Sequence, residues 1–277
     1  MIDDEHAVEP LAALGWRVST LSWRQTRVPW SAFDAVVIRS TWDYWNDVPA
    51  FLDTLGRINR ETRLANPLEL VRWNLEKTYL RKLESKGVGI VPTIWPDAVE
   101  TDSFALFAEQ LGSEELVIKP VIGANGESAF RVSPFDPIRR REEISATFAD
   151  RRALVQPFMP RVLSEGEFSL FYFNGTFSHA ILKTPAASEF RSQEERGAVI
   201  RPVRPEPQLL DRGKRALAAL AVVPLYARAD FIRNEDNDFL VMELELIEPS
   251  MYLRTDPDAP GRFARAVDAW FSGLTPS

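Results

Sequence analysis

At 277 residues, 45% hydrophobic and 26% charged, the chain is too long for a minimal module and too apolar for a disordered segment or a fibre. Its net charge of −7 excludes nucleic-acid binding driven by overall basicity, so a bound polyanion must meet a local basic pocket. No Cys and only two His exclude disulfides, thiolate metal centres and cysteine nucleophiles, and leave little for a His-based metal site.

No apolar run approaches the roughly 18–20 residues that span a bilayer. The start, Met1-Ile2-Asp3-Asp4-Glu5, is acidic where a signal peptide is basic. The expectation is a cytoplasmic protein with neither membrane nor nucleic-acid partners.

Residues 3–14 read as an amphipathic helix stopped at Gly15, and Trp16–Leu21 as a short strand. Ala35-Val36-Val37-Ile38 has the continuous apolar character of a buried parallel strand and delivers Arg39, Ser40, Thr41, Asp43 and Tyr44 to its C-terminal end, where open α/β sheets bind ligands. A helix over 48–60, a brief strand near Leu64 and an Asn66-Pro67 turn complete a small α/β unit. Such units usually open with a strand; here either that strand is missing because the start is cut short, or the sheet edge is formed differently.

A helix over 74–86 ends at Gly87 and leads into strands of antiparallel character: Leu116–Pro120, then the polar loop Gly123–Ser128, then Ala129–Val132, a helix over 142–148 and a strand over 153–156. Phe168–Phe173 and Thr176–Leu182 flank Asn174-Gly175, the strongest short hairpin signal. A helix over 208–221, a second hairpin of 226–233 with 239–246, and a helix from about 262 follow.

The second hairpin permits a register calculation. With Asp236-Asn237 as its turn, Asp230 faces Glu243 and Arg228 faces Glu245, all four on one face, while Phe231, Met242 and Leu244 occupy the other. Opposed carboxylates are destabilising unless something positive lies between them. Oxygen donors without His or Cys suit a hard cation, Mg2+ shared with phosphates above all; the alternative is a solvated outer face. Lys119 is a lone cation in a β-run ahead of Gly123, Asn125 and Gly126, whose backbone can cradle phosphate; an ordinary hairpin with a snorkelling Lys is the alternative.

The order of these pieces resembles the ATP-grasp superfamily of carboxylate–amine ligases over nearly the whole chain. Lys77 and Lys119 look like its two phosphate lysines, Gln156-Pro157-Phe158 its adenine hinge, Glu167 its ribose-binding residue, and Asp230, Glu243 and Glu245 its metal positions. Glu245 departs from the usual Asn, which leaves the metal count open. A narrower likeness, to the glutathione-synthetase-like branch that includes D-cycloserine-forming cyclo-ligases, lies in residues 37–45, 190–195 and 242–250.

The resemblance implies an α/β and α+β architecture: an N-terminal α/β substrate domain (1–72), an ATP-grasp small subdomain (73–158) and a C-terminal subdomain with the metal site (159–277), the last two sandwiching ATP. It implies ATP and Mg2+ as cofactors and an amino-acid-like small-molecule substrate. An acyl phosphate forms with Arg228 stabilising the transferring phosphoryl, and ADP and phosphate are released. Arg39, Ser40, Thr41, Asp43, Tyr44, Lys183 and Arg191 are assigned to substrate binding, Arg191 from a polar segment over 184–197 suited to a mobile lid. A kinase on the same scaffold and a non-catalytic nucleotide-binding module are the alternatives, and assembly as a homodimer is left open.

Overall fold

The computed structural model describes residues 3–187 and 189–273; Ser188, within the segment read as a lid, lies outside them. A single helical turn (Asp3–Ala7) leads into α1 (Val8–Ala13), and the chain then runs without regular structure to β1 (Ala35–Val37). The strand expected over 16–21 does not form. Residues 17–22 are exposed with no neighbouring chain to pair with, and a strand without a partner leaves its backbone groups unsatisfied. α2 (Val48–Glu61) is capped by the Asp47 carboxylate, which accepts the Ala50 N–H at 3.1 Å, and buries Phe51, Leu55 and Ile58 at helical spacing. It returns the chain to β2 (Arg63–Ala65), parallel to β1 as the apolar run predicts.

The helix expected over 74–86 is instead two, α3 (Leu68–Asn74) and α4 (Tyr79–Ser85). They part because the Lys77 N–H donates to the Val121 carbonyl at 2.9 Å, so Lys77 sits in the break rather than on a helix. A helix that the patterning did not predict, α5 (Ser103–Leu111), precedes β3 (Leu116–Pro120). That strand lies antiparallel between β4 (Phe130–Val132) and β5 (Ala153–Pro157). With α6 (Ile138–Thr147), α5 covers one face of this sheet, packing Phe104 and Ile144 against Leu116, Ile118 and Val155.

After the short α7 (Arg161–Ser164), the chain builds a five-stranded sheet from β6 (Glu167–Phe173), β7 (Thr176–Thr184), β8 (Val199–Pro202), β9 (Tyr226–Arg233) and β10 (Phe239–Glu245), in the order β10-β9-β6-β7-β8. Asn174 and Gly175 both take positive φ, 47° and 74°, as the β6–β7 turn requires. α8 (Pro207–Ala218) packs on one face through Leu209 and Ala216, against Leu170, Ala227, Ala229 and Phe231. The alternate residues, Glu167, Ser169, Arg228 and Asp230, project to the opposite face and are also buried. α9 (Ala259–Ser272) closes the chain. Among the described residues no helix is long and apolar enough to cross a membrane.

The β9–β10 register is as expected at the acidic residues, by a different route. The turn is five residues, Asn234–Asp238, which pairs Phe239 with Arg233 and Val241 with Phe231; a bulge between Val241 and Glu243 then restores Glu243 to Asp230 and Glu245 to Arg228. Met242, expected on the apolar face, is turned by this bulge into the cavity described below.

β10 is an edge strand, yet its free edge is covered. The Tyr79 hydroxyl accepts the Leu244 N–H at 2.9 Å, and the Asn74 amide donates to the Leu244 carbonyl at 2.7 Å and accepts the Leu246 N–H at 2.8 Å. Because Glu243 and Glu245 alternate with these residues, Asn74 fixes the height of the acidic side chains. Asn74→Leu strips two buried backbone groups of their partners. It should lower unfolding stability by about 2–4 kcal/mol, read from urea denaturation at unchanged m-value.

Candidate active site

One cavity opens between the three-stranded sheet, the polar face of the five-stranded sheet and the end of β1. Its apolar slot is walled by Val91, Val117, Phe158, Met159, Val162 and Met242. Gln156 and Pro157 line it too, although the Gln156 amide is turned to donate to Thr93 and the Phe158 N–H is committed to the Glu115 carbonyl. Arg131 lies over the outer side of the Phe158 ring, 3.8 Å from its centroid, which stiffens this wall.

The slot leads to the two lysines. Lys77 pairs with Glu243 at 3.0 Å and donates to the Gly123 carbonyl at 2.7 Å, so it ties the glycine loop to the acidic strand. Lys119 has no ion-pair or hydrogen-bond partner for its ammonium among the described residues. Burial pulls its pKa down against the opposing pull of Glu243. Gly123, Asn125 and Gly126 border the same space, with Asn125 and Gly126 in consecutive left-handed conformations. A Cβ on Gly126 would meet Arg191 and Gln193 at 3.0 Å, so the loop's glycine also lets these two side chains approach.

Deeper, the sheet face carries a buried ladder of charge. Lys183 pairs with Glu167 opposite it and lies 3.4 Å from Asp230. Arg228 holds Asp230 at 3.0 Å and pairs with Glu245. Burial raises the Asp230 carboxyl, but Arg228 and Lys183 outweigh it and hold the group at about 2. Glu243 is likewise lowered, its burial outweighed by Lys77 and Lys119. Glu245 is pushed up to about 7, first by burial and further by Asp230 and Glu243, despite Arg228.

The residues present fit Mg2+ when phosphates accompany it. Glu243 and Glu245 are hard oxygen donors on one strand face, and both border the cavity. Among the described residues no group of three His, Cys, Asp or Glu side chains is arranged to hold a metal ion unaided. Asp230 is the least available of the expected trio, being enclosed by Arg228, Lys183 and Ser169.

Of the residues assigned to substrate, Tyr44, Lys183 and Arg191 reach the cavity. Arg39 and Ser40 do not; both bond the Asp4 carboxylate, and Arg39 also donates to the Pro249 carbonyl at 2.7 Å. Asp43 turns outward to Trp23 and Arg24, held low by those bonds against the effect of burial. The Thr41 hydroxyl is buried outside the cavity lining. The end of an apolar strand is the right address, but two of the polar groups there face a second element, Asp3–Ala7, whose packing no local pattern reveals. Arg191 pairs with Glu189 at 2.6 Å and reaches the Gly126 carbonyl at 3.3 Å, joining its segment to the glycine loop.

Sequence reasoning assigned no role to Trp42, Ser192, Glu248 or Tyr252, all of which line the cavity. Trp42, Ser192 and Glu248 do lie within the segments of the narrower likeness, 37–45, 190–195 and 242–250, and Glu248 adds a charge directly after the apolar Leu246-Ile247. Its carboxyl is pushed up to about 8, chiefly by burial and the nearby Glu245.

An apolar slot between two β-sheets, two lysines over a glycine loop and acidic residues on an adjacent hairpin define an ATP-grasp enzyme. Solved structures agree. The ATP-grasp ligase PsnB complexed with minimal precursor, Mg and ADP shares the fold at a TM-score of 0.64 and 16% identity, covering 98% of this chain and 96% of that one.

The N-terminal domain model of D-cycloserine synthetase DcsG matches residues 2–66. The cycloserine biosynthesis protein DcsG of Streptomyces lavendulae is 31% identical over 94% of this chain and 91% of its own length. The crystal structure of D-cycloserine synthetase DcsG superposes at a TM-score of 0.87 with 28% identity, covering 97% of this chain and 94% of that one. The chain belongs to the DcsG family of ATP-grasp enzymes, and it is an ATP-dependent ligase that forms C–N bonds.

Proposed function

We propose that this ligase activates the carboxylate of a small amino-acid-like substrate with ATP and joins it to an amine, in the same molecule or a second one, releasing ADP and phosphate. The observation that carries the reading is the Lys119 ammonium, without a partner among the described residues and set beside the Lys77–Glu243 pair and the glycine loop. In this reading residues 73–158 and 159–277 enclose the nucleotide, and residues 1–72 contribute the substrate end through Trp42 and Tyr44.

The apolar slot takes the base, Glu167 the ribose, and Lys119 with the loop N–H groups the phosphates. Glu243 and Glu245 would hold Mg2+, which when bound supplies neutralising charge to the phosphates. Arg228, fixed by Asp230 and Glu245, presents its guanidinium to the transferring phosphoryl group. A substrate carboxylate oxygen bonds to the γ-phosphorus as the bond to ADP breaks. The amine nitrogen then bonds to the acyl carbon, phosphate leaves, and the amine gives up a proton. Positioning and charge carry these steps, so no side-chain nucleophile is required. Phe190, Arg191 and Ser192 from the lid shield the acyl phosphate from water.

Incubating the enzyme with ATP, Mg2+ and a panel of amino acids and ureido acids tests the reading, with ADP and free phosphate assayed in parallel. The two should rise together only when both carboxylate and amine are supplied. Phosphate retained on an organic product would replace the ligase mechanism with that of a kinase.

A further inference from the structure

Residues 189–197 put Phe190, Arg191, Ser192 and Gln193 into the cavity lining, and among the described residues three polar side-chain links tie this segment to the rest of the chain. Two run to the glycine loop: Arg191 donates to the Gly126 carbonyl at 3.3 Å, and Arg196 lies 3.9 Å from Glu127. A loop tied only to another loop has no fixed frame. The third link runs the other way, from Glu194 to Arg254 on the helical turn Leu253–Thr255, and it alone of the three reaches the body of the C-terminal unit.

Arg254 has one fixed partner and one that can leave. One terminal nitrogen pairs with Asp3, whose side chain is 1% exposed. The other donates to both carboxylate oxygens of Glu194, at 2.6 and 2.7 Å, and that side chain is 41% exposed. A buried carboxylate stripped of its cation is costly, so the Asp3 half of the bridge stays made. The Glu194 half faces water, where ion pairs open and reform readily. Asp3 is itself held in place. Its neighbour Asp4 accepts from Arg39 at 2.9 Å and from the Ser40 hydroxyl at 2.6 Å, and Ala7 of the same turn shares an apolar cluster with Phe263 and Val267 of α9. The Arg254 guanidinium also lies 5.0 Å from the centroid of the Tyr252 ring, which lines the cavity, while Arg254 itself stands behind the lining.

We propose that Arg254 is the positioning residue that holds segment 189–197 down over bound nucleotide, with Asp3 as its anchor and the Glu194 pair as a latch that opens and closes. The inference rests on the ligase reading of the same cavity and adds the side chain on which retention of the nucleotide depends. An ordinary surface pair has two exposed partners and leads nowhere. This one joins a buried anchor to a residue that directly follows Arg191, Ser192 and Gln193 of the lining.

Local opening and nucleotide release test it together. The Arg196, Gly197 and Ala198 N–H groups donate to the Gln193 and Glu194 carbonyls within the segment, so their hydrogen exchange reports its opening. With ADP and Mg2+ bound, Glu194→Gln and Arg254→Gln should each speed exchange over 194–198 threefold or more. Each should also speed release of a fluorescent ADP analogue, followed by stopped flow with Mg2+ present, by a similar factor. The double variant should do no more than either alone, since both substitutions remove the same pair. Arg254→Lys, which keeps the charge but loses the two-handed fork, should fall between parent and Arg254→Gln. Glu194→Gln should leave the melting temperature without nucleotide unchanged, and it decides the matter alone if Arg254→Gln, by stranding Asp3, does not fold. Exchange and release unchanged in Glu194→Gln overturn the proposal, as do effects that add in the double variant. Faster exchange with unchanged release overturns it too, because the pair would then order a surface loop and nothing more. A parent that binds no ADP analogue removes the ligase reading and the latch together, whereas one that binds it and releases it no faster once the pair is cut loses the latch alone. The predicted changes without C–N bond formation would keep the latch and remove the ligase.

Discussion

Lys119→Ala is expected to weaken ATP binding by tenfold or more, about 1.4 kcal/mol, while leaving the fold intact. The chain carries a net charge of −7, so the charges of the phosphates must be offset locally. Lys77 is already spent on Glu243 and on the Gly123 carbonyl, which leaves Lys119 as the lysine ammonium of the cavity without a partner among the described residues. Burial lowers its pKa, so its charge is held in poor solvent, where the phosphates of a bound nucleotide would stabilise it. Removing it abolishes no internal ion pair, so the melting temperature without nucleotide should be unchanged or slightly higher. Titration calorimetry that finds the parent's ATP affinity in Lys119→Ala would place the phosphates elsewhere.

Much of this site is legible in the sequence because it lies on local, periodic structure. Lys119 stands out in Leu-Val-Ile-Lys-Pro, and Asn174-Gly175 dictates its turn. Alternation along β9 and β10 puts Asp230, Glu243, Arg228 and Glu245 on one face even though a longer turn and a bulge both intervene, since their effects on register cancel at those residues. What stays hidden depends on distant contacts. The helix expected over 74–86 breaks because Val121 takes the Lys77 N–H, and nothing within that stretch announces Val121. Arg39 turns away from the cavity because Asp4 and Pro249 claim it. Glu248 lies within the 242–250 likeness but reads there as an ordinary strand-end acid; what sets it apart is its burial in the cavity lining, which depends on the fold.

Glu243→Gln should reduce turnover on the order of a hundredfold or more, the scale at which charge stabilisation of a transferring phosphoryl is lost. From sequence alone, the variant would also be expected to gain stability without Mg2+, by relief of repulsion with Asp230. The geometry reverses that sign. Asp230 is already neutralised by Arg228 and Lys183, while Glu243 is the partner of the mostly buried Lys77. The substitution therefore leaves an ammonium uncompensated and should lower stability by roughly 1–2 kcal/mol, between the values for exposed and buried pairs. It also frees Lys77 to swing toward the phosphates. Nucleotide affinity without Mg2+ should then be retained or improved, while the further gain on adding Mg2+ is lost. A variant as active as the parent, or one whose ATP affinity still rises with Mg2+, would show that the cation is not held through Glu243.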